Sequence, residues 1–173
     1  MVFEQLDVTS GDRILEVGFG GGDLLERILL TAQAERVAGV DHSADMVEFA
    51  SKRFRSYIRE HKLEVRCGDI EALLYDDQEF TKLCSVNTIY FWRNAEAAVA
   101  ECRRVLRPGG RILICLNSKK DMEAWPIHQH GFRLYELDEV KALLGNAGFS
   151  NIEVTSANDA KQGLFHCVSG TAV

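Results

Sequence analysis

The chain has 173 residues, 46% of them hydrophobic and 27% charged, room for one domain around one core that buries roughly 70% of the unfolded surface. Its formal net charge of −6 speaks against a broad phosphate-binding face, and so against a nucleic-acid partner; no run of about 18 apolar residues is present to span a bilayer. The opening Met1-Val2-Phe3-Glu4-Gln5 lacks the basic and apolar regions of a secretory leader. The five cysteines (Cys67, Cys84, Cys102, Cys115, Cys167) form no Cys-x-x-Cys pair, which argues against a zinc site and for free thiols in a reducing cytoplasm.

In chain order, short apolar runs alternate with longer amphipathic ones, the pattern of a β-α-alternating fold around a mostly parallel sheet. The first expected strand is Arg13–Val17, followed by a glycine cluster and a helix over Asp23–Thr31 that sets Leu24, Leu25, Ile28 and Leu29 on one face. A second strand, Arg36–Val40, ends at Asp41, and Ser43 is a good N-cap for a helix running to about Tyr57. Strands are expected at Leu63–Arg66 and Leu83–Ile89, then a helix over Ala95–Leu106 that stops at Arg107-Pro108-Gly109-Gly110, because proline cannot continue it and glycine supplies a turn. The apolar strand Arg111–Leu116 follows, then a polar, irregular span (Asn117–Tyr135), a helix over Leu137–Ala147, and two strands, Asn151–Thr155 and Leu164–Ser169. No helix fits between the last two, so they pair as an antiparallel hairpin.

The chemistry concentrates at the strand ends. In Glu16-Val17-Gly18-Phe19-Gly20-Gly21-Gly22-Asp23, glycines after a strand let the backbone approach a ligand closely, and the next helix offers free N–H groups. The dinucleotide fingerprint needs glycine where Asp23 stands, and a carboxylate at that helix end would repel a pyrophosphate. The loop therefore favours a nucleoside cofactor without phosphate at this point, and S-adenosylmethionine, with its sulfonium and amino acid tail, meets that demand. Asp41 follows at the spacing used to hold a ribose diol; its structural alternative is a cap for the following helix.

These segments together resemble class I S-adenosylmethionine-dependent methyltransferases. Glu16–Gly22 is similar to their first motif, Val40-Asp41-His42-Ser43 to the acidic end of their second strand, Gly68-Asp69-Ile70-Glu71 to their third-strand motif, and Arg104–Gly110 to their helix-to-strand turn. The closest flavour is the quinone-biosynthesis-like branch, whose members methylate many small molecules. The resemblance implies a doubly wound α/β fold, with a mostly parallel seven-stranded sheet ending in the antiparallel hairpin, and one methyltransferase domain over residues 1–173. It implies that Gly18, Gly20 and Gly22 line the methionine part with Glu16 beneath, that Asp41 holds the ribose, that His42 or Met46 flanks the adenine, that Asp69 and Ile70 clamp it, and that Asn87 contacts the amino acid portion.

Methyl transfer needs alignment and exclusion of water more than covalent help, and a base only where the nucleophile must lose a proton. Tyr90, His128 and His130 are the candidates for that base, with Trp92, Trp125 and Tyr135 near them in sequence. No carboxylate stands at metal-ligand spacing beside the His-x-His. Asn87-Thr88-Ile89-Tyr90 sits where amino-group methyltransferases carry an Asn-Pro-Pro-Tyr-like motif, without its prolines. Family members usually carry helices before the first motif that cover the cofactor; here residues 1–10 leave that cap short or missing. The acceptor is a small molecule whose nucleophile (O, N or C) stays open, as does the oligomeric state. Two other readings are a cofactor-binding relative without transfer activity and a nicotinamide-dependent oxidoreductase; Asp23 and the terminal hairpin count against the second.

Overall fold

The computed structural model describes residues 1–31, 34–124, 132–159 and 163–173. Seven strands form one sheet: β1 (Arg13–Val17), β2 (Arg36–Asp41), β3 (Leu63–Cys67), β4 (Phe80–Val86), β5 (Leu106–Asn117), β6 (Phe149–Asp159) and β7 (Gly163–Ala172), in the order β3-β2-β1-β4-β5-β7-β6. β1 to β5 are parallel, and β7 runs antiparallel to both β5 and β6, the doubly wound sheet and terminal hairpin expected. Strand order reverses between β1 and β4, which opens a crevice beyond their carboxyl ends, where open α/β sheets bind ligands.

Both faces of the sheet are covered, so the inner strands are apolar on both sides. Leu15, Val17, Ile112 and Ile114 face one layer with Ala98, Val99 and Cys102 of α5 (Ala95–Val105) and Val140 and Leu144 of α7 (Leu137–Asn146). Ile14, Cys84, Leu113 and Cys167 face the other, with Leu6 of α1 (Val2–Leu6), Leu25 and Ile28 of α2 (Asp23–Thr31) and Ala50 of α3 (Ala44–Arg53). Four cysteines are buried free thiols and Cys67 is an exposed one. Among the described residues no helix is long and apolar enough to cross a membrane.

Several element boundaries differ from expectation for local reasons. The expected helix to Tyr57 breaks at Phe54 into α3 and α4 (Arg55–Arg59), because the Phe54 ring turns inward against Gly22, where a Cβ would stand 2.6 Å from it. The fourth strand starts at Phe80 and ends at Val86, since Asn87 takes a left-handed φ of 55° and Ile89–Phe91 winds a 3-10 turn. β5 begins at Leu106 rather than Arg111: Phe80 pairs with Leu106 and Lys82 with Arg111, so Arg107–Gly110 bulges out of a ladder that continues. Residues 1–10 contain α1, whose Leu6 is fully buried, and the span expected to be irregular contains α6 (Lys119–Glu123), capped by Ser118. Both helices have five residues, too few to register as a periodicity.

Candidate cofactor site

A cavity of about 540 Å³ opens at the carboxyl ends of β1, β2 and β4, at the switch point. Gly18, Gly20, Asp41, His42, Met46, Asp69, Ile70 and Asn87 all line it, so loops far apart in sequence converge on one wall set. Gly18 (φ +73°) and Gly20 (φ +51°) have the left-handed backbone that glycine tolerates best. The Gly18 N–H donates to the Val40 carbonyl at 2.7 Å, and a Cβ on Gly18 would stand 2.3 Å from Thr88 Cγ2. The same Cβ on Gly20 would meet nothing within 4 Å; the backbone there leaves open space for a ligand.

Asp41 is 9% exposed and ties three segments together. Its Oδ2 accepts the Gly20 N–H at 2.8 Å and its Oδ1 the Ser43 N–H at 2.9 Å, while Ser43 itself caps α3 through the Met46 N–H. The cap is therefore Ser43, and Asp41 orders the turn in front of it. Asp69 accepts the Glu71 N–H at 3.0 Å through Oδ1 and pairs through Oδ2 with the Arg93 guanidinium.

Glu16 and Gly22 lie outside this wall. Glu16 is 3% exposed, in β1 under the glycine loop, where its carboxyl faces the Leu25 N–H of α2 and Oε2 has no partner. Burial first, and then the charge of Asp41, push its pKa up to about 8, so the group carries its proton at neutral pH. Arg53, the cation beside the loop, is engaged by the Gly21 carbonyl, Asp23 and Glu26 on the outer surface. It is not aimed into the cavity as a phosphate ligand would be.

Tyr90 is buried and is not part of this cavity's wall. Its hydroxyl accepts the Asn117 N–H at 2.7 Å and donates to the Asn117 carbonyl at 3.2 Å, and burial pushes the phenol up to about 12. That geometry clamps the ends of β4 and β5 together, with Asn87 Oδ1 accepting the same Asn117 N–H at 3.2 Å. Trp125, His128 and His130 lie outside the described residues. Thr88 and Arg93 also line the wall, without any role expected from sequence, and so do Phe91 and Trp92, the aromatic pair that the sequence offers either as a pocket wall or as packing under the next helix. Thr88 is held by Ser85 and by the Trp92 indole N–H at 3.2 Å; no spacing signal marks it or Arg93.

Because Thr88 is held in place, Gly18→Ala meets both a strained φ and a blocked Cβ. The expected cost is roughly 2–4 kcal/mol of stability, read as a lower urea midpoint with an unchanged m-value. A shift of a few tenths of a kcal/mol would show that Thr88 gives way.

The residues fit an adenosyl group without a pyrophosphate. Val40, Met46 and Ile70 give apolar walls, Asp41 and Asp69 give acceptors for hydroxyl and amino hydrogens, and Gly20 leaves room for close backbone approach.

Comparison with known proteins agrees with that chemistry. Residues 15–114 match the family described as Methyltransferase domain. The chain is 29% identical over 154 residues to the uncharacterized methyltransferase YdaC of Bacillus subtilis, covering 89% of this chain and 80% of that protein. It is 29% identical over 163 residues to phosphoethanolamine N-methyltransferase 1 of Zea mays, covering 90% of this chain and 32% of that protein; the chain thus spans about a third of the plant enzyme. In fold it resembles a SAM-dependent methyltransferase from Aquifex aeolicus (TM-score 0.80, 19% identity, 99% of this chain and 88% of that one). It also resembles the Haemonchus contortus phosphoethanolamine N-methyltransferase 2 solved with phosphomonomethylethanolamine and S-adenosylhomocysteine (TM-score 0.82, 16% identity, 98% of this chain and 51% of that one). These relatives single out no acceptor branch, quinone biosynthesis included. The chain belongs to the methyltransferase domain family, the S-adenosylmethionine-dependent methyltransferases of class I fold.

Proposed function

We propose that residues 1–173 act as one unit that transfers a methyl group from S-adenosylmethionine to a small-molecule acceptor, with the cofactor in the cavity at the switch point. The observation that carries this reading is the pairing of an apolar cavity of about 540 Å³ with two carboxylates at its edge and a glycine loop whose neighbouring cation, Arg53, is engaged elsewhere. In this reading Asp41 accepts from the ribose hydroxyls, Asp69 from the adenine amino group, and Met46 and Ile70 flank the ring, with His42 at its rim. Gly18 and Gly20 let the backbone approach the methionine portion, Gly22 and Glu16 support that loop from beneath, and Asn87 meets the amino acid end.

The bound cofactor supplies a methyl group already activated on a sulfonium. The chain's own residues then have to align the acceptor and keep water out. Phe91 and Trp92 form the apolar part of the wall after β4, and Tyr90 holds the frame on which that wall stands. Where the acceptor must lose a proton, His128 or His130 takes it; the buried Tyr90 phenol, already bonded to β5, serves the frame instead.

Isothermal titration of the purified chain with S-adenosylmethionine, S-adenosylhomocysteine and NADH tests the reading. Binding of both adenosyl ligands in the micromolar range, with no heat from NADH, is expected; NADH binding without either adenosyl ligand would overturn it. Product formation on a panel spanning phosphorylated amines, phenols and carboxylic acids then separates transfer from cofactor binding alone.

A further inference from the structure

A second hollow of about 520 Å³ lies between α3, α4 and β3 and shares no lining residue with the cavity at the switch point. Arg55, Arg59 and His61 line it, all exposed, and among the described residues the two guanidinium groups have neither an ion pair nor a hydrogen bond. The other charges around it are already matched: Arg36 pairs with Glu64 and Glu79 at its base, and Glu60 pairs with Lys62 at its rim. Two like charges one helical turn apart repel each other, and only Arg59 has an offset within the fold, at the carboxyl end of α4 and beside Glu60; Arg55 has none among the described residues. The two arginines make a locally cationic face on a chain whose formal net charge is −6.

Alongside this face runs a sheet edge. β3 is the terminal strand and pairs with β2 alone among the described residues. The Val37 N–H donates to the Lys62 carbonyl and the Gly68 N–H to the Asp41 carbonyl, and Val37 sits opposite Leu63. In that parallel phase β2 takes the backbone groups of Glu64 and Arg66, while those of Leu63, Val65 and Cys67 point away from the sheet. An unpaired row of this kind is a template for another strand. Its geometry also matches the arginines. Side chains two apart on an added strand stand about 6.6–6.8 Å apart on one face, and Arg55 and Arg59 are about 6 Å apart along the axis of α4.

We propose that β3 and the α4 hollow form a docking surface for an extended acidic segment of a partner protein. The segment adds as a strand to β3 and sets carboxylates at alternate positions against Arg55 and Arg59. Backbone pairing supplies the registration, and the two guanidinium groups select for acidic residues at every second position.

The test is a titration of the ¹⁵N-labelled full chain with a capped nonapeptide alternating glutamate and valine, followed by amide shifts and hydrogen exchange. Shifts and slowed exchange at Leu63, Val65 and Cys67 are expected, with at least tenfold weaker binding in the double variant Arg55→Glu/Arg59→Glu. Val65→Pro removes an N–H that bonds to nothing in the sheet; it should weaken the peptide similarly while thermal unfolding confirms that it folds. S-adenosylhomocysteine affinity should stay unchanged in both variants, which separates this surface from the cofactor site. The proposal falls if a lysine-for-glutamate peptide binds equally well, or if β3 amides stay still at millimolar peptide. It also falls if free glutamate or inorganic phosphate reproduces the shifts, which would mark a small-anion site. A concentration-dependent dimer abolished by the double variant would assign the face to a second copy of this chain and overturn the proposal as well.

Discussion

Asp41→Ala is expected to weaken S-adenosylhomocysteine binding at least ~100-fold and, in the same protein, to lower stability by about 1–3 kcal/mol. The two effects have different origins. Each Asp41 oxygen already accepts one backbone N–H, from Gly20 and from Ser43, yet each keeps a second lone pair for a ribose hydroxyl. Hydrogen bonds to a charged group contribute about 1.5–3 kcal/mol each, so losing two exceeds the 2.7 kcal/mol of a hundredfold change. The stability loss comes from the Gly20 and Ser43 N–H groups left without that acceptor. Asp41→Asn keeps one acceptor oxygen but no charge, and should fall between wild type and alanine. Calorimetric titration beside urea unfolding separates the two effects. An alanine variant that loses stability but keeps its Kd would restrict Asp41 to ordering the loop.

Glu16→Gln is expected to flatten the pH dependence of stability, becoming more stable than wild type by about 2–5 kcal/mol above pH 8. The direction follows from the shift. In the folded chain Glu16 titrates at about 8 against an ordinary 4.5, chiefly because burial disfavours its charge. The native state therefore holds this proton more tightly than the unfolded state does. Its contribution is fully present below about pH 4.5, declines as pH rises, and is lost once the folded group ionises near pH 8. Glutamine keeps an oxygen facing the Leu25 N–H and has no charge to desolvate. Urea midpoints at pH 5, 7 and 9 should converge for the two proteins at pH 5 and separate at pH 9; parallel curves would mean that Glu16 is hydrated in the folded chain.

Much of the cavity at the switch point was legible in the sequence because its residues sit at strand ends, where short-range rules apply. Gly18 and Gly20 follow an apolar run and Asp41 closes another, so strand periodicity, turn chemistry and spacing find them, whereas Asp69 is found only through the resemblance of Gly68-Asp69-Ile70-Glu71 to the family's third-strand motif. What stayed hidden depends on neighbours distant along the chain. Thr88 matters because its methyl lies against Gly18, and Arg93 because it reaches Asp69. Tyr90 reads as a candidate base until β5 is placed beside β4, when its hydroxyl turns out to be bonded to Asn117.

The same division holds for the fold. The amino-acid order alone was enough for the alternation of strands and helices, the terminal hairpin and the phosphate-free character of the loop, since hydrophobic period, glycine position and the charge of Asp23 are local properties. Tertiary packing decided where the second long helix breaks, through the Phe54 ring against Gly22. It decided that Arg107–Gly110 bulges inside a strand, and that Glu16 holds its proton at neutral pH. Each of these depends on which surfaces meet and how much water they exclude, and no window of consecutive residues contains that information.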